Sequence, residues 1–420
     1  MHSGLPTFRI KLKPARTHSL KMVVQLQPSA DVLPLETPGK VIRVLHIVES
    51  LDTQAVETWL LRVLRATTKD YPHIHWTFFC VLGREGRYDD TARGLGAEVI
   101  HSRYEIGDKL RFVAGLREVM KRGHYDVLHC HHDIMSAAYL LASVGLAFKK
   151  RIVHLHNTST SLPTPSRVKA ELAREPMRQI CLRMADQIVG ISSEALTSLT
   201  GTKHSESTRQ RVIHYAVDTR RFAEVSLARH EFRRQLGFGP NARVLLFVGR
   251  LVHYKNPVFV VEILERLVQS DPEAVVLFAG AGDLENVVAE TLSRKNLIGR
   301  ARLLGFRDDV PELMVNSEVL IWPSLEEPKE GLGLGIIEAQ AAGLPIVMSR
   351  SVPEEAIIVS ELVQVLPLDA GADAWASAIQ SLDMQAIPTR SECLRRVESS
   401  SFGMHEGVTS LMALYGNLGV

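Results

Sequence analysis

Two acidic residues flank a glycine-rich stretch in the last third of the chain. Glu330 and Glu338 stand eight positions apart, with Gly331, Gly333 and Gly335 between them. The apolar run VLIWPS before Glu330 predicts a buried strand, and IIEAQAAG, which contains Glu338, predicts a helix. Glycines let a ligand approach the backbone, and a helix N-terminus attracts anions. The carboxylates suit the hydroxyls of a sugar or a ribose. Taken alone, however, this stretch is better explained as an ordinary strand, loop and helix with two solvated glutamates.

Two basic residues follow an earlier apolar run. The segment VLLFVGRLVHYKNP, residues 244–257, predicts a buried strand that ends next to Arg250. Lys255 comes just beyond, and Asn256 and Pro257 are typical of a helix N-cap and first helical residue. The two cations therefore lie at the carboxyl edge of a strand, where open α/β sheets bind ligands. A surface salt-bridge pair is the alternative explanation.

Together, GRLVHYKN and the E-x7-E element EGLGLGIIE resemble the donor site of glycosyltransferase family 4, retaining enzymes of the GT-B fold. The resemblance covers roughly residues 41–418 and is greatest to exopolysaccharide-type bacterial members. It implies that Arg250 and Lys255 bind the donor diphosphate and that Glu338 binds the nucleotide ribose. It also implies that Glu330 and the neighbouring backbone hold the transferred sugar. The backbone positions are Gly331, Leu332, Gly333 and Leu334.

The function implied by this resemblance is transfer of a hexosyl unit from a nucleoside diphosphate sugar, with UDP the favoured nucleotide. The acceptor would be a saccharide or a lipid-linked saccharide in surface or exopolysaccharide synthesis. Retention in this fold is usually explained by front-face displacement, so no protein nucleophile is predicted. Neither a metal nor another cofactor is expected. Two alternatives remain, a nucleotide-sugar epimerase of the same fold and a nucleotide-sugar-binding protein with weak or lost transfer activity.

The composition is that of an ordinary soluble globular protein. The chain has 420 residues, 45% of them apolar, and a net charge of +2, which does not favour nucleic acid as a partner. The sequence has no run of 18 apolar residues, so no membrane-spanning helix is predicted. The four cysteines are scattered without paired or metal-type spacing, which fits a reducing compartment. We therefore predict a cytoplasmic protein that could also contact the inner face of the membrane.

Strands and helices alternate along the chain, which predicts parallel sheets. The predicted class is α/β with the GT-B architecture, in which two doubly wound Rossmann-like domains face a central cleft. The predicted segments are a poorly ordered extension (1–40), an acceptor-binding domain (41–225), a linker (226–242), a donor-binding domain (243–401) and a helix that crosses back to the first domain (402–420). An upstream start-codon artefact, with Met22 as a candidate true start, would equally explain the extension.

Histidines are dense in the first half. Alternation along a strand puts His129 and His131 on one face, and likewise His154 and His156 on a later strand. These rings could hold zinc, with Asp133 as a fourth ligand, or they could be packing residues bonded to the backbone. LHCH also resembles the H-x-H element of the family, whose second histidine points at the reacting centre. On that basis His131 is the catalytic candidate, and it is preferred over the zinc site.

One stretch departs from the family pattern. Family members usually carry Gly-Gly between the first strand and first helix, whereas this chain has Gln54-Ala55. Side chains there would crowd a close approach of the backbone to phosphate and acceptor. Tyr215-Ala216 also stands where Asn-Gly is common. We favour a pocket reshaped for another acceptor over weak or lost activity.

A predicted amphipathic helix over residues 166–185 carries several basic residues. They are Arg167, Lys169, Arg174, Arg178 and Arg183. This face could rest on an anionic membrane that carries lipid-linked acceptors. A solvated helix face is the commoner explanation.

Overall fold

The computed structural model describes most of the chain from residue 41 onward. The described ranges are 41–52, 55–158, 167–201, 208–327, 329–383 and 385–416. The extension predicted over residues 1–40 and the side chain of Gln54 therefore lie outside the described residues. Within the described ranges, none of the helices combines the length and the apolar character that crossing a membrane requires.

The first domain is built on a parallel sheet. Its strands are β1 (Ile42–Val48), β2 (Ile74–Cys80), β3 (Glu98–His101), β4 (Val127–Cys130), β5 (Lys150–Leu155), β6 (Gln187–Gly190) and β7 (Gln210–Val212). They lie in the order β3-β2-β1-β4-β5-β6-β7. In register, Val44 of β1 faces Trp76 of β2 on one side and Val127 of β4 on the other. The winding reverses between β1 and β4, which opens a crevice at their carboxyl ends.

Helices connect these strands on both faces of the sheet. They are α1 (Ala55–Asp70), α2 (Asp89–Gly94), α3 (Lys109–Gly123), α4 (Ser136–Ala142), α5 (Arg167–Met184) and α6 (Ser193–Thr200). Helix α1 forms because its apolar residues recur at helical spacing, and Trp59, Leu60, Val63 and Leu64 are all buried. Helix α6 begins at the N-cap Ser192, whose side chain accepts a hydrogen bond from the Ala195 N–H.

Two short helices, α7 (Arg220–Ala223) and α8 (Arg229–Gln235), lead into the second domain. Helix α8 lies inside the segment that the sequence predicts as a linker. Its Phe232 is buried. The Arg233 guanidinium forms an ion pair with Glu318 of the second domain at 2.5 Å. This part of the connection is therefore packed against the second domain.

The second domain repeats the parallel arrangement. Its strands are β8 (Arg243–Val248), β9 (Ala274–Ala279), β10 (Ala301–Leu303), β11 (Val319–Trp322), β12 (Ile346–Met348) and β13 (Val363–Val365). They lie in the order β10-β9-β8-β11-β12-β13. Val319 of β11 pairs with Leu245 of β8. The winding reverses between these two strands, so their carboxyl ends form the second crevice.

The helices of the second domain include one that is buried on all sides. They are α9 (Pro257–Ser270), α10 (Glu285–Arg294), α11 (Val310–Asn316), α12 (Leu334–Ala342), α13 (Gly371–Gln380) and α14 (Arg390–Glu398). Residues 335–342 of α12 are all buried, which explains its apolar composition. The helix stops at Gly343, whose φ of 68° is the left-handed conformation that glycine adopts without strain.

The last described helix, α15 (Met404–Gly416), packs against the first domain. The Tyr415 hydroxyl lies 2.8 Å from Nδ1 of His129 on β4, and Lys150 Nζ donates to the Leu414 carbonyl at 2.7 Å. The structure confirms the predicted α/β class with two doubly wound domains, each on a parallel sheet. The precise domain boundaries stay predictions.

Candidate active site

Lys255 and Glu330 meet at the carboxyl edge of the second sheet. Lys255 ends a 3-10 turn after β8, and its Nζ donates to Oε2 of Glu330 at 2.6 Å. The Trp322 indole N–H donates to Oε1 of the same carboxylate at 2.9 Å, and Lys255 Nζ lies 4.2 Å from the Trp322 ring centroid. Both charged side chains are at most 10% exposed. The pairing lets two charges persist in a buried place, because each satisfies the other.

Arg250 lies at the same edge and is exposed to solvent. Its Nη2 donates to the Tyr254 hydroxyl at 2.7 Å, and its guanidinium carbon lies 5.6 Å from the Tyr254 ring centroid. A guanidinium held by a neutral phenol keeps its charge available to an anion. The predicted pair of cations therefore consists of one exposed group and one buried group.

Glu338 forms an ion pair with a residue of the other domain. Its Oε1 lies 2.8 Å from Nη2 of Arg62 on α1, and the two side chains are only 12% and 15% exposed. Sequence analysis did not find Arg62. The sequence carries only a weak signal for this residue. Its position on α1, next to the buried apolar face, does not predict which residue of the second domain it contacts.

The glycine-rich loop passes very close to the first domain. A Cβ built on Gly331 would lie 2.1 Å from the backbone oxygen of His156 on the opposite domain. Gly333 has a φ of 78° and precedes α12, where a Cβ would meet Val352 at 2.6 Å. Leu332 is buried between them, and Leu334 is the first residue of α12. Only glycine therefore fits at positions 331 and 333 of this loop.

Several polar contacts hold the two domains together beside this loop. The Thr158 hydroxyl donates to the Lys329 carbonyl, and Lys329 Nζ lies 2.9 Å from Glu194. Glu355 accepts from the Ser193 N–H at 2.7 Å and from its hydroxyl at 3.1 Å. The structure thus describes a closed arrangement, in which the loop of the second domain packs on the first.

His131 lies in a chain of hydrogen-bonded rings. Its Nε2 is 3.0 Å from Nδ1 of His46, and its Nδ1 is 3.0 Å from Nε2 of His156. His156 Nδ1 in turn lies 2.6 Å from the Tyr215 hydroxyl. Both ring nitrogens of His131 are therefore engaged within the protein, and the ring is buried. Its role at the reacting centre stays a prediction.

His129 and His154 form a second, shorter chain. Nε2 of His129 lies 3.1 Å from Nδ1 of His154. Sequence analysis missed His46, although its position in β1 opposite His129 puts both on one face of the sheet. Burial lowers the pKa of all five rings, to about 3 for His46 and His154. The five imidazoles are therefore neutral at physiological pH.

Asp133, the fourth ligand of the alternative zinc site, is not part of the histidine group whose ligand atoms lie close together among the described residues. Asp133 accepts from the His156 backbone N–H and the Asn157 side-chain amide, each at 2.6 Å, and burial raises its pKa to about 6. Nitrogens of His131, His154 and His156 do lie within 4.8 Å of one another. Two contacts explain this closeness without an ion: His131 is hydrogen-bonded to His156, and His154 stacks on His156 with ring centroids 4.5 Å apart.

Two other groups of metal-ligand type lie within the described residues. Ring nitrogens of His46, His129 and His131 form one. Cys80, Asp89 and His101 form the other, in which His101 Nε2 lies 2.7 Å from Oδ2 of Asp89. The expectation that no metal is required stays a prediction.

The start of α1 holds a buried acid that sequence analysis also missed. Ala55, which stands where the family has glycine, is exposed at the first position of α1. Glu57 in the same turn is buried. Burial, together with the nearby charges of Glu49 and Asp52, raises its pKa to about 7. A buried carboxyl group with such a pKa in the first turn of a helix is a candidate for proton transfer.

The basic helix predicted over residues 166–185 corresponds to α5. Its Arg178 donates to the carbonyls of Leu199 and Thr200, so this cation binds the protein itself. Leu172 is 73% exposed on the same helix. A membrane contact of α5 stays a prediction.

Two glycosyltransferase family models match this chain, one in each domain. The family model "Glycosyltransferase Family 4" matches residues 46–221, and "Glycosyl transferases group 1" matches residues 228–391. The chain is 26% identical over 376 residues to the putative glycosyltransferase EpsF of Bacillus subtilis, covering 89% of this chain and 96% of that protein. It is 23% identical over 334 residues to an Escherichia coli enzyme, UDP-Gal:alpha-D-GlcNAc-diphosphoundecaprenol alpha-1,3-galactosyltransferase, covering 78% and 84%.

Solved structures share the fold. Anabaena Alr3699/HepE, crystallised with UDP and glucose, superposes with a TM-score of 0.72 at 17% identity, over 90% of this chain and all of that one. WaaG, a glycosyltransferase involved in lipopolysaccharide biosynthesis, superposes with a TM-score of 0.66 at 13% identity over the same shares. The two family models account for both domains, one for each. This chain therefore belongs to glycosyltransferase family 4 and has the GT-B fold.

Proposed function

We propose that this glycosyltransferase is a retaining enzyme that moves a hexosyl unit from a UDP-linked sugar to a saccharide or lipid-linked saccharide. The observation that carries the proposal is the meeting of Lys255, Glu330 and Trp322 at the carboxyl edge of the second sheet. In the proposal, the Lys255 cation contacts the phosphate and the neighbouring Glu330 carboxylate contacts the sugar hydroxyls. The match to an enzyme that uses UDP-Gal and a diphosphoundecaprenol acceptor supports the nucleotide and the acceptor class.

In this proposal, the two cations divide the diphosphate between them. Arg250, exposed at the edge, meets the entering donor and offers a planar fork. Lys255 supplies a charge in a poorly hydrated place, where it stabilises the departing diphosphate most strongly. One carboxylate oxygen of Glu330 continues to accept the hydrogen bond from the Trp322 N–H. The other oxygen, which accepts from Lys255 in the structure, accepts from a sugar hydroxyl instead. Glu338 receives the ribose hydroxyls.

The closed contact between the domains would keep water from the reacting centre. Gly331 against the His156 backbone allows the sugar loop to approach the first domain without a side chain between them. The His131 ring is hydrogen-bonded to the ring of His156, the residue whose backbone Gly331 contacts. In the proposal, His131 exchanges one of its two ring partners for a substrate hydroxyl. We assign it to the reacting centre on that basis.

The test is release of UDP with and without an acceptor. Purified enzyme is incubated with UDP-glucose or UDP-galactose and a synthetic GlcNAc-diphosphoundecaprenol, and UDP and product are followed by chromatography. UDP release that needs the acceptor, with an α-linked product by NMR, supports the proposal. Conversion of the donor into a second nucleotide sugar without an acceptor and without net release of UDP would instead indicate an epimerase. Tight UDP binding without transfer would indicate a binding protein, and recovery of transfer in a Gln54→Gly, Ala55→Gly double variant would explain why.

A further inference from the structure

One ion pair crosses the interface between the two domains inside the proposed donor site. Arg62 of α1 belongs to the first domain, and Glu338 of α12 belongs to the second. Their charged atoms lie 2.8 Å apart, and both side chains are largely buried. Because each partner belongs to a different domain, the pair forms when the domains are closed and breaks when they separate.

The guanidinium of Arg62 is not fully satisfied by the protein. Its Nη2 engages Oε1 of Glu338, but its Nε is buried and has no hydrogen-bond partner among the residues that the structure describes. Leaving a buried donor unpaired is costly, so such a donor indicates a group that the protein does not itself provide. Arg65, one turn along the same helix, is exposed and offers a matched comparison.

We propose that Arg62 is a positioning residue of the donor site, which fixes the Glu338 carboxylate for the nucleotide ribose and thereby couples ribose recognition to domain closure. The inference rests on the proposed function, in which Glu338 receives the ribose. With Oε1 engaged by Arg62, the second carboxylate oxygen accepts from a ribose hydroxyl. The Arg62 Nε–H remains as a donor to the same ligand.

The physical basis is restriction of a side chain before the ligand arrives. A glutamate on a helix rotates about three bonds, and ordering it on ligand binding reduces affinity. An ion pair in a poorly hydrated interface orders the carboxylate before the ligand arrives. Ribose recognition therefore depends on the closed state, although the diphosphate cations Arg250 and Lys255 belong to the second domain alone.

The experiment measures how strongly the enzyme prefers a nucleotide whose ribose carries the 2′- and 3′-hydroxyls over one that lacks both. Affinities for UDP and for 2′,3′-dideoxy-UDP are measured by calorimetry for the wild type and for Arg62→Met, Arg62→Lys, Arg65→Met and Glu338→Gln. The wild type should prefer UDP by about tenfold or more, since hydrogen bonds to a charged group carry this much discrimination. Arg62→Met should reduce the preference to about twofold, mostly because the variant binds UDP more weakly.

The other variants separate positioning from a general effect. Arg65→Met should keep the wild-type preference, and Arg62→Lys should restore part of it, because the charge remains without the planar fork. Combining Arg62→Met with Glu338→Gln should add little to either change, since both act on one contact. If Arg62→Met does not fold, the preference for UDP is compared between the wild type and Arg62→Lys only.

Three outcomes would overturn the inference. The first is an unchanged UDP preference in Arg62→Met. The second is tighter UDP binding in that variant, which would show that Arg62 competes with the ribose for Glu338. The third is a wild type that binds UDP but ignores the ribose hydroxyls. Failure of the proposed function is distinct from all three, because the wild type would then not bind UDP through Arg250 and Lys255.

Discussion

The ammonium of Lys255 and the carboxylate of Glu330 lie 2.6 Å apart, although 75 positions separate them in the chain. They meet because β8 and β11 are neighbours in the second sheet and both residues follow the carboxyl ends of these strands. Each charge stabilises the other where water is scarce. Replacing one of them therefore affects folding and donor binding in different ways.

Lys255→Met should lower both stability and donor affinity. Removing one partner of a buried ion pair costs about 3 to 5 kcal/mol of unfolding free energy, because the other charge stays buried. UDP affinity should fall by about tenfold or more through loss of a charged phosphate contact. Chemical denaturation and calorimetry measure the two effects. Lys295→Met is the control, since Lys295 pairs with Glu265 at 2.7 Å in a more exposed place.

The double variant Lys255→Met, Glu330→Gln should recover much of the stability but none of the UDP affinity. This separation would be contradicted if both properties recovered together, since Lys255 would then be important only for folding.

Arg250→Met should weaken UDP binding without a change in stability. The Arg250 side chain is exposed, so its loss should alter the unfolding free energy by less than about 0.5 kcal/mol. Tyr254→Phe removes the hydroxyl that accepts from Arg250 and tests whether this contact orients the guanidinium. Calorimetry with UDP checks both. Wild-type affinity in Arg250→Met would exclude Arg250 from the phosphate site.

Gly331→Ala should reduce transfer strongly because it acts on the closed contact between the domains. The added methyl group would lie 2.1 Å from the His156 carbonyl oxygen, which is backbone and cannot rotate away. The loop and the first domain would have to separate, so the turnover rate should fall more than the affinity for UDP. Gly299→Ala is the control, because a Cβ there has no atom within 4 Å. Equal turnover in both variants would count against a closed reacting state.

Acidification should destabilise the first domain below pH 6.5. Burial keeps the five histidine rings neutral in the folded state, with the pKa of His46 and His154 at about 3. Unfolded histidines take up protons below their ordinary pKa of 6.5, so between pH 6.5 and 3 the unfolded state binds more protons. Stability therefore falls as the pH falls, by about 1.4 kcal/mol per pH unit for each ring.

Urea denaturation between pH 7.5 and 5.5 measures this loss, and its slope gives the number of protons taken up on unfolding. His46→Phe should reduce that number by about one, since the ring stacks on Trp76 and could be replaced by an apolar ring. Stability that stays constant over this pH range would contradict the neutral state of the cluster.

Chelation should leave donor binding unchanged. The proposed diphosphate contacts are the side chains of Arg250 and Lys255, which replace the charge that a divalent ion would supply. Dialysis against EDTA followed by calorimetry with UDP tests this, and metal analysis of the dialysed protein shows whether the Cys80, Asp89 and His101 group retains an ion. A loss of UDP affinity that added magnesium restores would overturn the expectation.

Periodicity and local stop signals predict much of the fold. The runs VLLFVG, AVVLFAG and VLIWPS became β8, β9 and β11, and Gly343 ends α12 as its position suggests. These elements depend on residues close to one another in the chain. The alternation of strands and helices along the chain predicts a parallel sheet. It also predicts that Lys255 and Glu330, which both follow strands, lie at the same edge of that sheet.

The sequence by itself thus determined the two parallel-sheet domains and the edge of the second sheet that carries the proposed donor site. Only the tertiary structure decided which side chains are partners. It paired Glu338 with Arg62, brought His46 into the histidine chain and occupied both nitrogens of His131. The reason is physical: hydrogen bonds and ion pairs depend on distances of about 3 Å between atoms. Such distances are set by strand register and by the approach of the domains, which a periodic pattern in one chain does not specify.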